Sequence, residues 1–314
     1  MSKGLVTQQH LTDIADAIRI KNSSSTVYKP SEMAQAINNI STMPIVDKGI
    51  IINSFDEYGR AEDVSIVGMT EIPDYYLSGA CESLSSWMGS VEGNLHFPDN
   101  LTSIGNYAFK NCHYLPLTSL PNSITSIGDY AFSNCDSLIL SSLPSGLEII
   151  GGFAFQYCEN LELTSLPNGI MVIGRYAFSH CSKLALTSLP DGIIGIGSYA
   201  FQSCSKLALT SLPSSITSID DGAFNGCSSI EEMTLNGNIT SIGYTAFKNC
   251  SNLKKLILPN VTAVPTLKNQ ALGNTPIYSN DGHIYVPDTL VDSFKTATNW
   301  SDYAELIVGI SQLT

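Results

Sequence analysis

Five histidines, His10, His96, His113, His180 and His283, are the residues most suited to acid–base work or metal ligation near neutral pH. None sits in an H-E-x-x-H pair or at another ligand spacing on a helix face. No serine occupies a G-x-S-x-G elbow, and no glycine-rich phosphate loop opens a strand–helix unit. Asp220-Asp221 and Glu231-Glu232 have the residue types of an acid–base pair. Both stand at variable outward positions of a repeating pattern, where solvated surface is the simpler reading. Eight cysteines remain, and none has another within 20 residues, so the C-x₂-C spacing of a tetrahedral zinc site is missing. The residues therefore read as those of a non-enzyme with no metal or cofactor.

The cysteines lead instead to a repeat. Cys112, Cys135, Cys158, Cys181, Cys204, Cys227 and Cys250 recur every 23 residues, and Phe109, Phe132, Phe155, Phe178, Phe201, Phe224 and Phe247 recur at the same interval. Seven units follow, at 102–124, 125–147, 148–170, 171–193, 194–216, 217–239 and 240–262. Within 171–193, Leu184 to Leu189 is too short for a helix and begins with strand alternation. Pro190 stops that strand and Asp191-Gly192 turns the chain. Ile193 and Ile173 bracket a second extended piece, and Gly174 allows a tight bend before Ala177-Phe178 returns inward. A single unit cannot bury its own apolar side. Stacked units can, with each buried Phe contributing roughly 1.5–3 kcal/mol.

The motif I-G-x-Y-A-F-x-x-C-x-x-L followed by x-L-P, repeated through 101–262, resembles the BspA-like subclass of leucine-rich repeats. The resemblance implies a mainly β repeat solenoid, right-handed and curved, with short parallel strands and little helix. Units 6 and 7 depart from it: Asp220-Asp221-Gly222 replaces Gly-x-Tyr, and Asn236 replaces the proline. The cysteine column suits a buried apolar ladder of free thiols. Disulfides between neighbouring coils are the competing reading, since strand spacing brings such positions within bonding range. The seven-membered column counts against them, because each member has two equivalent partners.

The flanks differ in character. Residues 1–45 form a helical module: Leu11, Ile14, Ala15 and Ile18 share one helix face, and Met33, Ala36, Ile37 and Ile40 share another. Leu11, Ile14, Ile18, Met33, Ile37 and Ile40 are the candidate attachment residues. This opening resembles a module at the start of phage and prophage tail-associated proteins. Residues 46–100 read as a cap, with a β-hairpin pairing 49–52 and 64–67 followed by a degraded repeat at 72–84. Residues 263–314 leave the period and read as a C-terminal cap. Ile284-Tyr285-Val286 forms its strand, Asp288 caps a helix over 289–297, and Trp300, Tyr303 and Leu306 pack on the last repeat.

Recognition then falls to outward positions. The residue before each ladder cysteine varies, as Asn111, Asn134, Tyr157, His180, Ser203, Gly226 and Asn249. His113, Tyr114, Tyr157 and His180 form the candidate ligand surface, suited to a host surface protein or glycan. The Tyr107, Tyr130, Phe153, Tyr176, Tyr199 column reads as a half-buried structural ladder. With 15 Lys and Arg against 28 Asp and Glu, the net charge is −13, which disfavours nucleic acid. No apolar run reaches the ~20 residues that span a bilayer, so membrane insertion is not expected. MSKGLVTQQH lacks the apolar core of a secretion signal. The expectation is a virion tail protein, made in the host cytoplasm, that binds other tail proteins through its helices. A bacterial surface adhesin or protein-binding scaffold is the alternative, and a homo-oligomer is compatible with either.

Overall fold

The computed structural model describes residues 5–6, 49–55, 61–73, 94–113, 115 and 117–313. The helical attachment residues from Leu11 to Ile40 lie outside that set, as does the 72–84 repeat beyond residue 73. At the start, β1 (Leu5–Val6), β2 (Gly49–Phe55), β3 (Ala61–Val67) and β5 (Asn94–His96) form one sheet. β2 and β3 are the expected antiparallel hairpin, and β5 joins β3 in parallel.

From there the chain winds as a parallel solenoid. One ladder runs through β4 (Glu71–Ile72), β6 (Ser103–Ile104), β7 (Ser126–Ile127), β8 (Ile149–Ile150), β9 (Val172–Ile173) and β10 (Gly195–Ile196). It resumes in β12 (Ser218–Ile219), β14 (Ser241–Ile242) and β16 (Thr266–Leu267). Each strand is two residues long, and in six of these nine coils a glycine follows the inward isoleucine and turns the chain at once. A Cβ on Gly174 would lie 2.8 Å from the Gly151 carbonyl carbon and oxygen of the previous coil. Glycine is therefore what lets successive coils approach at this bend.

The second ladder holds β11 (Ser211–Leu212), β13 (Glu232–Leu235), β15 (Lys255–Ile257), β17 (His283–Val286) and β18 (Ile307–Gly309). It begins only in the fifth unit, so the strand expected at Leu184–Leu189 does not form. There Leu184, Leu186 and Leu189 are buried while Thr187 and Ser188 both face out. The fifth unit keeps the same outward pair, Thr210-Ser211, yet forms β11 by pairing with β13, which has the two-residue period of a strand. In β13 the order exposed, buried, half-buried, buried shows that period.

The core is one continuous cluster running from Ile66 to Ile307. All seven ladder phenylalanines are buried, and neighbouring rings stack at 5.2–5.7 Å. The free cysteines Cys135, Cys158, Cys181, Cys204, Cys227 and Cys250 are buried beside them. Each thiol donates to the carbonyl of the phenylalanine 26 residues earlier; Cys158 Sγ lies 3.0 Å from Phe132 O. Burial pushes these thiols up, Cys250 to about 12, so none offers a thiolate near neutrality. Cys112 breaks the uniformity that the sequence suggested: it is disulfide-bonded.

The array also outlasts its sequence period. Phe247 N donates to Ala271 O, where a 23-residue spacing would have required residue 269. The two extra residues hide a further coil that the sequence reading assigned to the cap. Beyond it, α1 (Val291–Thr296) and short 3₁₀ turns close the core. Trp300 is fully buried, donates from Nε1 to Pro265 O at 2.7 Å, and meets Phe294 edge-on. Tyr303 and Leu306 are buried as expected. Asp288 does not cap a helix; its Oδ1 accepts from Ser311 Oγ at 2.6 Å.

Candidate binding surfaces

Two residues in most coils hold left-handed backbone, at the aromatic column and just before the cysteine. Asparagine tolerates that region best among residues with side chains. Asn111, Asn134, Asn249 and Asn274 occupy the second position, with φ between 58° and 63°. Their amides also ladder: Asn134 Nδ2 donates to Asn111 Oδ1, and Asn274 Nδ2 to Asn249 Oδ1, both at 2.8 Å.

In the central coils this ladder gives way to Tyr157, His180 and Ser203, at the same φ of 59° to 63°. The Tyr157 and His180 rings stack at 4.5 Å with 16° between planes. Tyr157 is 38% exposed. Burial lowers the His180 pKa below its usual 6.5, against an opposing pull from Glu159. His180 thus lies beside tyrosine as a neutral ring at physiological pH. His113, two coils before Tyr157, is not part of that stack. Its Nδ1 lies 3.0 Å from Asp136 Oδ2, a part-buried pair. Tyr114 lies outside the described residues.

The aromatic column stacks face to face. Tyr107, Tyr130, Phe153, Tyr176 and Tyr199 are spaced 4.4–4.8 Å apart. Lys110 Nζ lies 5.0 Å from the Tyr130 centroid, and the Arg175 guanidinium 5.0 Å from that of Tyr176. Each ring covers its neighbour's face, which leaves mainly edges for a ligand. Gly222 ends the stack, because a side chain there would run into the Tyr199 ring.

The two carboxylate pairs have different roles. Asp221 Oδ1 accepts the Tyr244 N–H at 2.7 Å, as Asn106 and Asp129 accept from Asp129 and Gly152 one coil on. Asp221 is thus a coil-to-coil fastener, and burial with its Asp221 neighbour raises the pKa of Asp220. Glu231 and Glu232 line a cleft of about 760 Å³ over the second ladder, with Thr210, Asn252, Lys254 and Lys255. Glu232 and Lys255 stand opposite each other in register, and Lys254 Nζ lies 3.4 Å from Asp281 Oδ2. Among the described residues no group of three or more His, Cys, Asp or Glu could hold a metal.

A further surface escaped the sequence reading. Ile149, Met171, Val172 and Ile194 are 57%, 59%, 49% and 60% exposed. Other coils carry Thr-Ser at these two phases, as Thr102-Ser103, Thr125-Ser126, Thr217-Ser218 and Thr240-Ser241. Their aliphatic replacement was the available signal.

The family described as BspA type leucine rich repeat region (6 copies) matches residues 70–208 and 172–290. A T. pallidum leucine-rich repeat protein of known structure is 25% identical, covering 67% of this chain and 90% of its own, with a TM-score of 0.43. A leucine-rich cell surface protein from Faecalibacterium prausnitzii is 18% identical, covering 85% of this chain and 94% of its own, with a TM-score of 0.40. The pneumococcal vaccine antigen PcpA is 16% identical, covering 82% and 80%, with a TM-score of 0.33. No curated protein matches significantly.

Proposed function

Because the chain belongs to the BspA-type leucine-rich repeat family, we propose that it is a non-enzymatic binding scaffold. In this reading it acts as an adhesin at a bacterial surface and engages a partner protein through outward residues of the solenoid. One observation carries the proposal. The backbone before each cysteine keeps φ near 60° from Asn134 to Ser203, while the residue there changes to Tyr157 and His180. A constant frame with changing outward groups is how repeat arrays make recognition surfaces. A protein partner is favoured over a glycan because the faces of the longer aromatic column are already covered.

The Cys112 disulfide supports work in an oxidising compartment, since the cytosol keeps thiols reduced. Attachment to a virion rests on residues 7–40, which lie outside the described residues and outside the family match. The surface reading therefore stands first. Antibodies against the folded solenoid should label intact, unpermeabilised producing cells. Labelling only after lysis would sink the surface role, and labelling of released phage particles would move the protein to the virion.

A further inference from the structure

The aliphatic patch on the first ladder spans three consecutive coils. Ile149 faces Val172 in register, and Val172 faces Gly195. Ile194 N donates to Met171 O at 2.8 Å, so their columns are adjacent as well. Leaving four large aliphatics in water is unfavourable, and the same positions in flanking coils avoid it with threonine and serine.

Gly195 adds a second observation. Its φ is not in the left-handed region, and a Cβ there would meet only Val172 Cγ1 and Cγ2, at 3.8 and 3.9 Å. That is ordinary contact, unlike the 2.8 Å approaches that make Gly174 obligatory. The backbone gives no reason for glycine at 195, and its bareness leaves a recess beside Val172.

Size selects the occupant. Four side chains, each about half exposed, present a few hundred Å², well short of the ~800 Å² per partner that a stable dimer buries. The patch suits a short extended segment better than a second copy. Charge adds a preference. Glu148 stands exposed beside Ile149, while Arg175 of the next coil lies over the Tyr176 ring.

We infer that Ile149, Met171, Val172 and Ile194, with the Gly195 recess, form a docking site for an extended protein segment carrying a large apolar anchor and an adjacent Lys or Arg. This rests on the binding-scaffold reading and adds a second surface to it. The probe is a random linear peptide library displayed on phage and selected on the full chain. Enriched peptides are then synthesised and their affinities measured by fluorescence polarisation.

The expected result is a shared motif with one large aliphatic or aromatic residue next to a basic one. Val172→Ser with Ile194→Thr, which restores the residue types of the flanking coils, should weaken binding by about tenfold or more. Gly195→Ile should do the same by filling the recess, and circular dichroism melts should confirm that both variants stay folded. Lys206→Ala, at an exposed position outside the patch, should leave affinity unchanged. No enriched apolar motif, or equal binding to the patch variants, would overturn the site. Peptides lost with Tyr157→Ala but not with Val172→Ser would overturn it while leaving the scaffold reading intact. A dimer in sedimentation velocity that Val172→Ser with Ile194→Thr dissociates would replace the peptide by a second copy and equally overturn the proposal.

Discussion

Single residues in this molecule answer to the coil next door. Gly174 is glycine because Gly151 passes beneath it, whereas Gly192 meets only Asn168 O, at 3.5 Å. Gly174→Ala should therefore cost about 1–3 kcal/mol, the usual penalty for forcing atoms into packed space, while Gly192→Ala should lie within about 0.5 kcal/mol of wild type. Chemical denaturation of the two variants separates these outcomes, and equal midpoints would contradict the close-approach account.

His180 is read the same way, with a pH dependence. Burial lowers its folded pKa, so the unfolded chain binds the proton more readily. The stability associated with the neutral ring is fully present above the ordinary value near 6.5 and is lost as pH falls through the lower folded value. NMR titration of the His180 ring should give a midpoint below 6.5, and His180→Asn should remove that part of the acid sensitivity. A midpoint at or above 6.5 would refute the assignment.

At the scale of the element, the unit of construction is the 23-residue coil, and a coil contacts chiefly its two neighbours. Removing 125–147 joins Ile124 to Glu148 in phase and keeps every column intact. That variant should unfold in one cooperative transition, at a midpoint a few degrees lower. Removing only 125–135 sets outward residues in the inward columns and should abolish cooperative melting. Circular dichroism melts of the two deletions test this, and similar melts would mean that phase does not organise the core.

Phase is also why much of the fold was legible in the sequence. Phe109 to Phe247 and Cys112 to Cys250 recur without a gap, so the columns follow by counting. What escaped lay where counting stops. The coil around Ala271 was hidden by two extra residues, and the Leu184–Leu189 segment runs without the alternating partner strand that β13 gives Ser211–Leu212. The left-handed turns explain why asparagine marks the ridge, and the 23-residue phase with strand spacing puts Tyr157 beside His180, as their 4.5 Å stack shows. Only the near-parallel ring orientation is beyond a one-dimensional pattern. The aliphatic patch was legible in principle, but it required reading Met171-Val172 as a departure from Thr-Ser and not as one more strand.

For the whole molecule the deciding question is compartment, and the cysteines report on it. Of the seven cysteines among the described residues six are free and buried, while Cys112 is disulfide-bonded. The six cannot exchange readily in the folded state, because burial holds their thiols protonated and the coils exclude reagent. Cys112 stands in the first unit of the regular array, and a covalent tie there lowers the entropy of the unfolded chain. Three thiol counts on protein purified without reductant follow: close to none in the native state, six in denaturant, and eight in denaturant after reduction. Eight before reduction would remove the disulfide and, with it, the support for an oxidising compartment. Six would tie the adhesin reading to a chemical property of the chain, since a disulfide of this kind persists only where thiols are not continually reduced.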